Sequence, residues 1–219
     1  MGIVTDIQFQ KSNKNKVSIF IDSKYSFSLS YDGYCESYIK INDEISEEEI
    51  INLKTKDIQR IAYLFLIQMF SYKNYLSYEV RTKLKEKLKK YYAEELFNEE
   101  LINREIEETI QKGIKNHLID DESYLNEYIK NKFNLGWGIS KIKQKLWMKG
   151  VPSEVINEYL VNIEVDFENK CLEICEKKLK SLDKITDKYK KKQKLIQYSL
   201  SKGFSYNETL LAIEKLLNY

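Results

Sequence analysis

The first 45 residues alternate apolar and polar side chains, whereas the rest of the chain repeats its apolar positions at helical spacing. Residues 17–22 and 25–30 place apolar side chains at every second position, with a short turn signal at 22–24 between them. Period two on both sides of a turn predicts a β-hairpin. The run 3–9 predicts a third strand. The serine-rich outer positions predict one solvent-facing side, so the apolar side has to cover another element.

From Ser46 onward the apolar positions recur every three or four residues, which predicts α-helices. Ser46 with Glu49, and Ser205 with Glu208, have the spacing of capping boxes. The nine predicted helices cover residues 56–72, 76–90, 98–113, 121–134, 138–149, 153–161, 166–181, 185–201 and 205–217. Core-facing stripes are predicted at Leu76, Val80, Leu84 and Leu88, at Ile139, Ile142 and Leu146, and at Ile185, Tyr189, Ile196 and Leu200.

Two lysine–glycine turns indicate an internal repeat. Gly150 and Gly203 each follow a lysine at the end of an apolar helix and lead to a serine that can cap the next helix. These glycines are 53 positions apart, and the same spacing counted back from Gly150 reaches residues 96–98, between two predicted helices. The helices therefore group into a tandem array of three three-helix units. The predicted domains are a small β-rich domain at 1–45 and helical units at 46–113, 114–161 and 162–219.

Composition excludes several classes of protein. With 7 glycines and 1 proline, the chain has too few turn formers for sandwiches or propellers. Its three cysteines are predicted to be reduced thiols. Cys171 and Cys175, one helical turn apart, are predicted to have a role in helix packing. The longest apolar stretch, 61–70, has about half the length of a membrane-spanning helix. The sequence therefore predicts a cytoplasmic, monomeric, mainly α-helical protein.

The sequence carries no recognisable catalytic motif. It has no phosphate-binding P-loop, no nucleophile elbow and no His-Glu-x-x-His zinc motif. Asp120 and Asp121 could form an acid–base or metal pair, but adjacent loop residues diverge and Asp121 suits a helix N-cap. The single histidine, His117, is predicted to lie near the surface at a helix end. We predict a protein that is not an enzyme and has no metal or cofactor.

Positive charge is concentrated in three runs. Residues 81–90 carry a net charge of +5, residues 141–149 carry +4 and residues 177–194 carry +7, whereas the whole chain carries +2. We assign these runs to the middle helix of each three-helix unit, where a tandem array would present a basic stripe to a polyanion. The alternative is that the lysines are solvated helix faces in a chain encoded by an AT-rich genome.

The candidate nucleic-acid or filament contacts come from these runs and the turns that follow them. They are Arg81, Lys85, Lys89, Lys141, Lys143, Lys145, Trp147, Lys149, Lys190, Lys191, Lys194 and Lys202. Contacts to phosphates would make binding strongly dependent on salt. Trp147 lies off the apolar stripe, so it could stack on a base or a partner, or pack between units. Trp137, at a helix start, is assigned a packing role.

Four segments, in this order, resemble the RecX family of regulators of the RecA recombinase. They are Tyr75 to Leu84, Leu118 to Tyr124, Gly138 to Val151, and Leu200 to Ser205. The first resembles the family's first-unit helix, the second its hydrophobic-Asp-Asp segment, and the last two its Lys/Arg-Gly-hydrophobic turns. The resemblance spans residues 55–217. Family members usually carry an arginine-rich stretch where this chain has only Lys132, and an arginine is common at Lys202, so a bidentate contact is lost at both places.

The resemblance implies a non-enzymatic regulator whose partners are the RecA recombinase and single-stranded DNA, bound directly or within the filament. Such proteins lie in the groove of the RecA filament, reduce ATP hydrolysis and strand exchange, and promote disassembly. The alternative is a stand-alone helical nucleic-acid-binding or transcription-regulatory protein. A third possibility is a scaffold whose lysines bind no ligand.

Overall fold

The computed structural model describes residues 1–10, 15–92 and 99–217 and is mainly α-helical with a small N-terminal sheet, as predicted. Its elements are β1 (Gly2–Phe9), β2 (Lys16–Ile21), β3 (Lys24–Ser30), α1 (Tyr31–Ser37), β4 (Glu44–Ile45), α2 (Glu47–Phe70), α3 (Ser77–Tyr91), α4 (Glu99–Lys115), α5 (Asp121–Asn134), α6 (Ile139–Trp147), α7 (Ser153–Asn162), α8 (Phe167–Lys180), α9 (Lys188–Lys202) and α10 (Tyr206–Leu217). Within the described ranges, none of the helices combines the length and apolar character needed to cross a bilayer.

The chain forms two compact units, residues 1–120 and 121–219, called here the N-terminal and C-terminal halves. The sheet and α1–α4 belong to the N-terminal half, and α5–α10 belong to the C-terminal half. The finer division into three three-helix units stays a prediction. The position at 96–98, which the repeat spacing singled out, lies outside the described residues.

The four strands form an antiparallel sheet in the order β3-β2-β1-β4. The predicted hairpin and third strand are confirmed. Asp22 and Ser23 make a two-residue turn with φ of 49° and 64°, the geometry that matches the twist of paired strands. β4 and α1 were not predicted, because a two-residue strand shows no periodicity and α1 has no buried residue that would mark a face.

One side of the sheet packs on the start of α2, as the alternation predicted. Its core contains Val4, Ile19, Phe27, Leu29, Ile39 and Ile45, with Ile50 and Leu53 of α2 against it. The prediction of a solvent-facing opposite side is wrong at Ser18 and Ser28, which are buried. Lys16, on the same side of β2 as Ser18, donates to the Tyr91 carbonyl at 3.0 Å. The end of α3 therefore covers part of that side.

A buried carboxylate links the sheet to α2 and α3. Asp57 of α2 is 1% exposed and accepts hydrogen bonds from the Ser30 N–H at 2.8 Å and the Tyr92 hydroxyl at 3.0 Å. The Ser30 hydroxyl also donates to it, and the same hydroxyl caps α1. A buried charge is tolerated only with such donors. Asp57 therefore fixes where the chain leaves the sheet and enters α1.

In the N-terminal half, α2, α3 and α4 surround one apolar core. The predicted stripe Leu76, Val80, Leu84 and Leu88 is fully buried, and its last three residues belong to this core. The capping box at Ser46 and Glu49 is confirmed, with each side chain bound to the other's backbone N–H. α2 begins at Glu47, so the predicted start at residue 56 is wrong. The helix begins at its cap, whereas its buried residues begin only at Asp57 and Ile58.

Four helix ends share one turn. His117, Gly136, Gly150 and Gly203 have φ of 56°, 76°, 85° and 91°. In each, the N–H of that residue donates to the carbonyl three positions back, and the next N–H donates to the carbonyl five positions before itself. This arrangement satisfies the last carbonyls of the helix and favours glycine. The predicted roles of Gly150 and Gly203 are confirmed, and exposed His117 lies at a helix end as predicted.

The buried face of α9 differs from the prediction. Tyr189 and Leu200, assigned to the core stripe, are exposed, whereas Leu195 and Ser199 are fully buried. Ser199 accepts from the Thr209 hydroxyl at 2.8 Å, and its Oγ lies 3.2 Å from Cys171 Sγ. A serine with such partners can be buried, so apolar residues alone do not mark this face.

The remaining predictions for this region also need correction. Ile185 and Ile196 were assigned to the same stripe, and the basic run 177–194 was assigned to one helix. Ile185 precedes α9, and Ile196 is only half-buried. The run 177–194 is divided between the end of α8 and the start of α9, so its assignment to a middle helix is wrong. Elsewhere, Ile142 and Leu146 are buried as predicted and Ile139 is half-buried, and α8 buries Cys171 and Cys175, whose packing role is confirmed.

The start of α6 meets the end of α9 backbone to backbone. The Gly138 N–H donates to the Lys202 carbonyl at 2.8 Å, and the Ser140 N–H donates to the Gly203 carbonyl at 3.0 Å. Gly138 is the N-cap of α6 and supplies no capping side chain. The free N–H groups of one helix therefore satisfy the free carbonyls of another. A Cβ at Gly138 would lie 2.3 Å from the Gly203 carbonyl carbon, so the contact requires glycine.

Gly138→Ala is expected to lower the free energy of unfolding of the C-terminal half by about 3 kcal/mol, because the added methyl group meets backbone that cannot rotate away. Gly150→Ala is the control. Gly150 is exposed, so the expected cost of about 1 kcal/mol comes from placing an alanine at a positive φ. Urea unfolding followed by the fluorescence of Trp137 and Trp147 measures both, since these are the chain's two tryptophans. Equal losses for the two variants would contradict the close contact.

Candidate nucleic-acid interface

The candidate residues on α3 are paired with acidic side chains of α4. The Arg81 guanidinium binds the Glu107 carboxylate through two nitrogens, one of them at 2.7 Å. Lys85 and Lys89 each lie 3.2 Å from the same oxygen of Glu99. These hydrogen bonds lower the pKa of both Glu99 and Glu107. Because the pairs are solvent-exposed, they add little stability, but the two carboxylates offset two of the positive charges of α3.

The candidate residues on α6 are more open. Lys143 is exposed, Lys141 and Lys145 are half-buried, and Trp147 is 66% exposed. Lys143 and Trp147 line a shallow cavity of about 230 Å³ together with Ile156 and Asn157 of α7. Such exposure favours a contact role for Trp147 over a packing role.

The candidates on α9 lie at its two ends. Lys190, Lys191 and Lys194 are in the first two turns, and Lys202 is the last residue of the helix. Twelve residues of α-helix span about 18 Å. Lys202 is next to the contact between α6 and α9, and the Nζ of Lys141 lies 3.5 Å from the Ser201 carbonyl. The structure therefore brings Lys141 and Lys202 to one place and leaves the other three apart.

Aromatic rings link these lysines to others that the sequence did not single out. The lysine–aromatic row, as we call it, consists of Tyr124, Tyr128, Lys132, Trp137, Lys141, Lys149, Lys178, Tyr198 and Lys202. Lys149 Nζ lies 5.5 Å from the centre of the Tyr124 ring, and Tyr124 stacks on Tyr128 at 6.1 Å. Lys132 lies 5.2 Å from the Tyr128 centre and 5.0 Å from that of Trp137.

The row continues through the contact between α6 and α9. Lys141 lies 4.8 Å from the Trp137 ring centre. Lys202 of α9 and Lys178 of α8 lie 5.5 and 5.4 Å from the Tyr198 ring centre. A lysine over an exposed ring is stabilised by about 0.5–1 kcal/mol, enough to bias where the ammonium group sits. Rings on α5, on α9 and in the turn before α6 therefore position the lysines of this surface.

Four ammonium groups of the row carry unneutralised charge. In the part of the chain that the structure describes, Lys132, Lys141, Lys178 and Lys202 form no ion pair, unlike Arg81, Lys85 and Lys89 on α3. The prediction of a packing role for Trp137 is incomplete, because its half-buried ring also holds two of these lysines. Such a surface can bind a polyanion through its phosphates.

Part of the row has a signal in the sequence. Tyr124, Tyr128 and Lys132 follow one another at i, i+4, and so do Tyr198 and Lys202, which places each set on one helix face. Trp137 and Lys141 have the same spacing, but Trp137 lies in the turn before α6, outside any helical stripe. The contacts between helices, such as Lys178 of α8 on Tyr198 of α9, depend on packing and have no such signal.

Family comparisons cover most of the chain. Residues 2–46 match the regulatory protein RecX N-terminal domain, residues 120–160 the second three-helix domain of RecX, and residues 165–210 its third three-helix domain. A regulatory protein RecX of Clostridium beijerinckii is 34% identical over 99% of this chain and 97% of its own length. One of Clostridium perfringens strain 13 is 31% identical over 100% and 98%.

Solved structures share the fold. A crystal structure of a regulatory protein RecX superposes with a TM-score of 0.59 at 23% identity, covering 97% of this chain and 98% of its own. The crystal structure of RecX from Lactobacillus salivarius has a TM-score of 0.60 at 26% identity, covering 75% of this chain and 99% of its own. The first of these likenesses concerns the fold alone.

Trp147→Ala is expected to change the free energy of unfolding by less than about 0.5 kcal/mol, because an exposed side chain loses little packing. Leu146→Ala, the neighbouring control, removes a fully buried side chain and is expected to cost about 2–5 kcal/mol. Urea unfolding followed by circular dichroism measures both variants. A loss at Trp147 as large as that at Leu146 would assign the tryptophan to the core.

Proposed function

Because the chain belongs to the RecX family of regulatory proteins, we propose that it is a negative regulator of the RecA recombinase. It binds the filament that RecA forms on single-stranded DNA and inhibits ATP hydrolysis and strand exchange there. It acts by binding and catalyses no reaction of its own. It works in the cytoplasm as a monomer.

The observation that carries this proposal is the lysine–aromatic row. The row lies within residues 121–219, where the matches to the second and third RecX three-helix domains fall. Its unneutralised lysines suit the phosphates of the DNA in the filament. Exposed Trp147, beside Lys143, suits the protein part of the filament, because aromatic side chains dominate protein contacts.

The distribution of unpaired positive charge indicates which helical units contact the filament. Three three-helix units, at 46–113, 114–161 and 162–219, present successive surfaces to the filament. The last two supply the basic contacts, whereas the α3 residues of the first are already paired with α4. The alternative function is a stand-alone nucleic-acid-binding or transcription-regulatory protein, which the same lysines would also serve.

Adding the purified chain to RecA, single-stranded DNA and ATP is expected to reduce ATP hydrolysis at less than one chain per RecA subunit, because a bound regulator blocks a filament and not a single subunit. The rate of phosphate release measures this. If saturating protein leaves ATP hydrolysis unchanged while the chain still binds DNA, the stand-alone nucleic-acid-binding alternative is favoured over the RecA regulator. No DNA affinity even at low salt would leave only a scaffold.

Replacing Lys141, Lys143 and Lys145 together by Glu is expected to weaken filament binding by about tenfold or more, because charge reversal on α6 repels phosphates. The matched control reverses Lys24, Lys40 and Lys115, three exposed lysines of the N-terminal half, with the same change in net charge. Co-sedimentation with the RecA filament measures affinity, and circular dichroism checks folding. Equal losses in the two variants would mean that net charge alone decides binding.

A further inference from the structure

Three rings of the lysine–aromatic row each hold two lysine side chains. The pairs, with the distances from the ring centre, are Lys132 and Lys149 at Tyr128 (5.2 and 5.8 Å), Lys132 and Lys141 at Trp137 (5.0 and 4.8 Å), and Lys178 and Lys202 at Tyr198 (5.4 and 5.5 Å). Two like charges held at one ring repel each other. The pairs at Trp137 and Tyr198, whose lysines form no ion pair among the described residues, are therefore stabilised when an anion neutralises them.

The N-terminal half shows what such a pair binds. Lys85 and Lys89 lie one turn apart on α3, and both approach the same oxygen of Glu99 at 3.2 Å. One carboxylate therefore bridges two ammonium groups and offsets one of their two charges. Within the described residues, Lys132 and Lys141 have no acidic side chain in that position. An anion that bridges this pair would therefore come from another molecule.

We infer that the lysine–aromatic row is a binding site for the sugar–phosphate backbone of a single DNA strand. Tyr128, Trp137 and Tyr198 are positioning residues that hold the lysines where phosphates bind. The inference deepens the proposed function and rests on it, because it names the part of the chain that meets the strand in the filament. It also assigns a function to Lys132 and Lys178, which lie outside the predicted contact set.

A polymer suits the row better than a single ion. The pairs follow one another from α5 through the start of α6 to the ends of α8 and α9. One phosphate ion would engage one pair, whereas a strand supplies successive phosphates on one flexible chain. Each phosphate neutralised also releases a counterion, so the contributions accumulate along the strand.

The backbone, and not the bases, fits the geometry of the rings. The rings are half-buried, and ammonium groups occupy the surface that a stacked base would need. The lysines offer single charges without the planar fork that reads guanine edges in a duplex groove. Contacts of this kind carry no sequence information.

The test measures binding of a fluorescently labelled oligothymidylate to the full chain without RecA, by anisotropy at several salt concentrations. The double variant Lys132→Gln, Lys141→Gln is expected to bind about tenfold more weakly, with a salt slope shallower by about 0.7 for each lysine removed. The control Lys85→Gln, Lys89→Gln has the same change in net charge and is expected to lose much less affinity, because Glu99 already holds both ammonium groups and offsets part of their charge. An unchanged slope in the first variant, or equal losses in both, would overturn the site.

The positioning role is tested at Trp137. Trp137→Leu is expected to weaken binding about fivefold, whereas Trp137→Phe keeps a ring and restores most of the affinity. Urea unfolding followed by circular dichroism confirms that both variants fold. A leucine variant that binds like the unmodified chain would show that the ring does not position the lysines. So would a phenylalanine variant as weak as the leucine one.

Two further ligands test what the row binds. An oligonucleotide with abasic sites in place of its bases is expected to bind as well as oligothymidylate, and weaker binding would mean that bases stack on the rings. A duplex that binds as tightly, with the same dependence on Lys132 and Lys141, would overturn the choice of a single strand. The oligonucleotide assay contains no RecA, so it is independent of the ATP hydrolysis assay. If the chain binds the oligonucleotide as expected but leaves RecA activity unchanged, only the proposed function is contradicted. Inhibition of RecA that survives loss of Lys132 and Lys141 contradicts the row alone.

Discussion

The contact between Gly138 and the end of α9 decides where the candidate site lies. Helix ends leave N–H and carbonyl groups without partners, and here the start of α6 and the end of α9 satisfy each other directly. The helix dipoles favour the same arrangement, since a partly positive N-terminus faces a partly negative C-terminus. Because no side chain separates the two backbones, Lys141 and Lys202 come to one surface. The lysine–aromatic row is continuous across α6 and α9 only while this contact holds.

Charge in this chain depends on pairing more than on composition. The runs at 81–90 and 141–149 look alike in the sequence, with net charges of +5 and +4. In the fold, Glu99 and Glu107 hold three side chains of the first run and offset two of its charges, whereas aromatic rings lie against lysines of the second. A carboxylate removes positive potential from a surface, but a ring leaves it intact while restricting the lysine. Runs of similar charge therefore give surfaces with different binding properties.

The sequence predicted the elements well and the faces less well. The hairpin, the capping box at Ser46, and the glycine turns at Gly150 and Gly203 follow from local rules, so they could be read directly. The stripe of α9 could not, because buried Ser199 depends on a hydroxyl of α10. The charged runs and the lysine–glycine turns gave Lys141, Lys149 and Lys202 of the row, but not Lys132. The contact of Lys178 with Tyr198 joins α8 to α9, and periodicity does not encode it. Trp137 meets Lys132 and Lys141 across the turn between α5 and α6, where helical periodicity is interrupted.

The use of lysine and not arginine in the lysine–aromatic row has structural consequences. A guanidinium brings its own fixed geometry, whereas a lysine has four flexible carbons and one mobile charge. At Lys132 and Lys202 the chain places that charge against a ring, Trp137 for the first and Tyr198 for the second. The ring restricts the side chain before any ligand arrives, so less conformational entropy is lost on binding. Lysines held by rings can in this way recover part of the pre-organisation that the arginine fork would supply, without its bidentate hydrogen bonds.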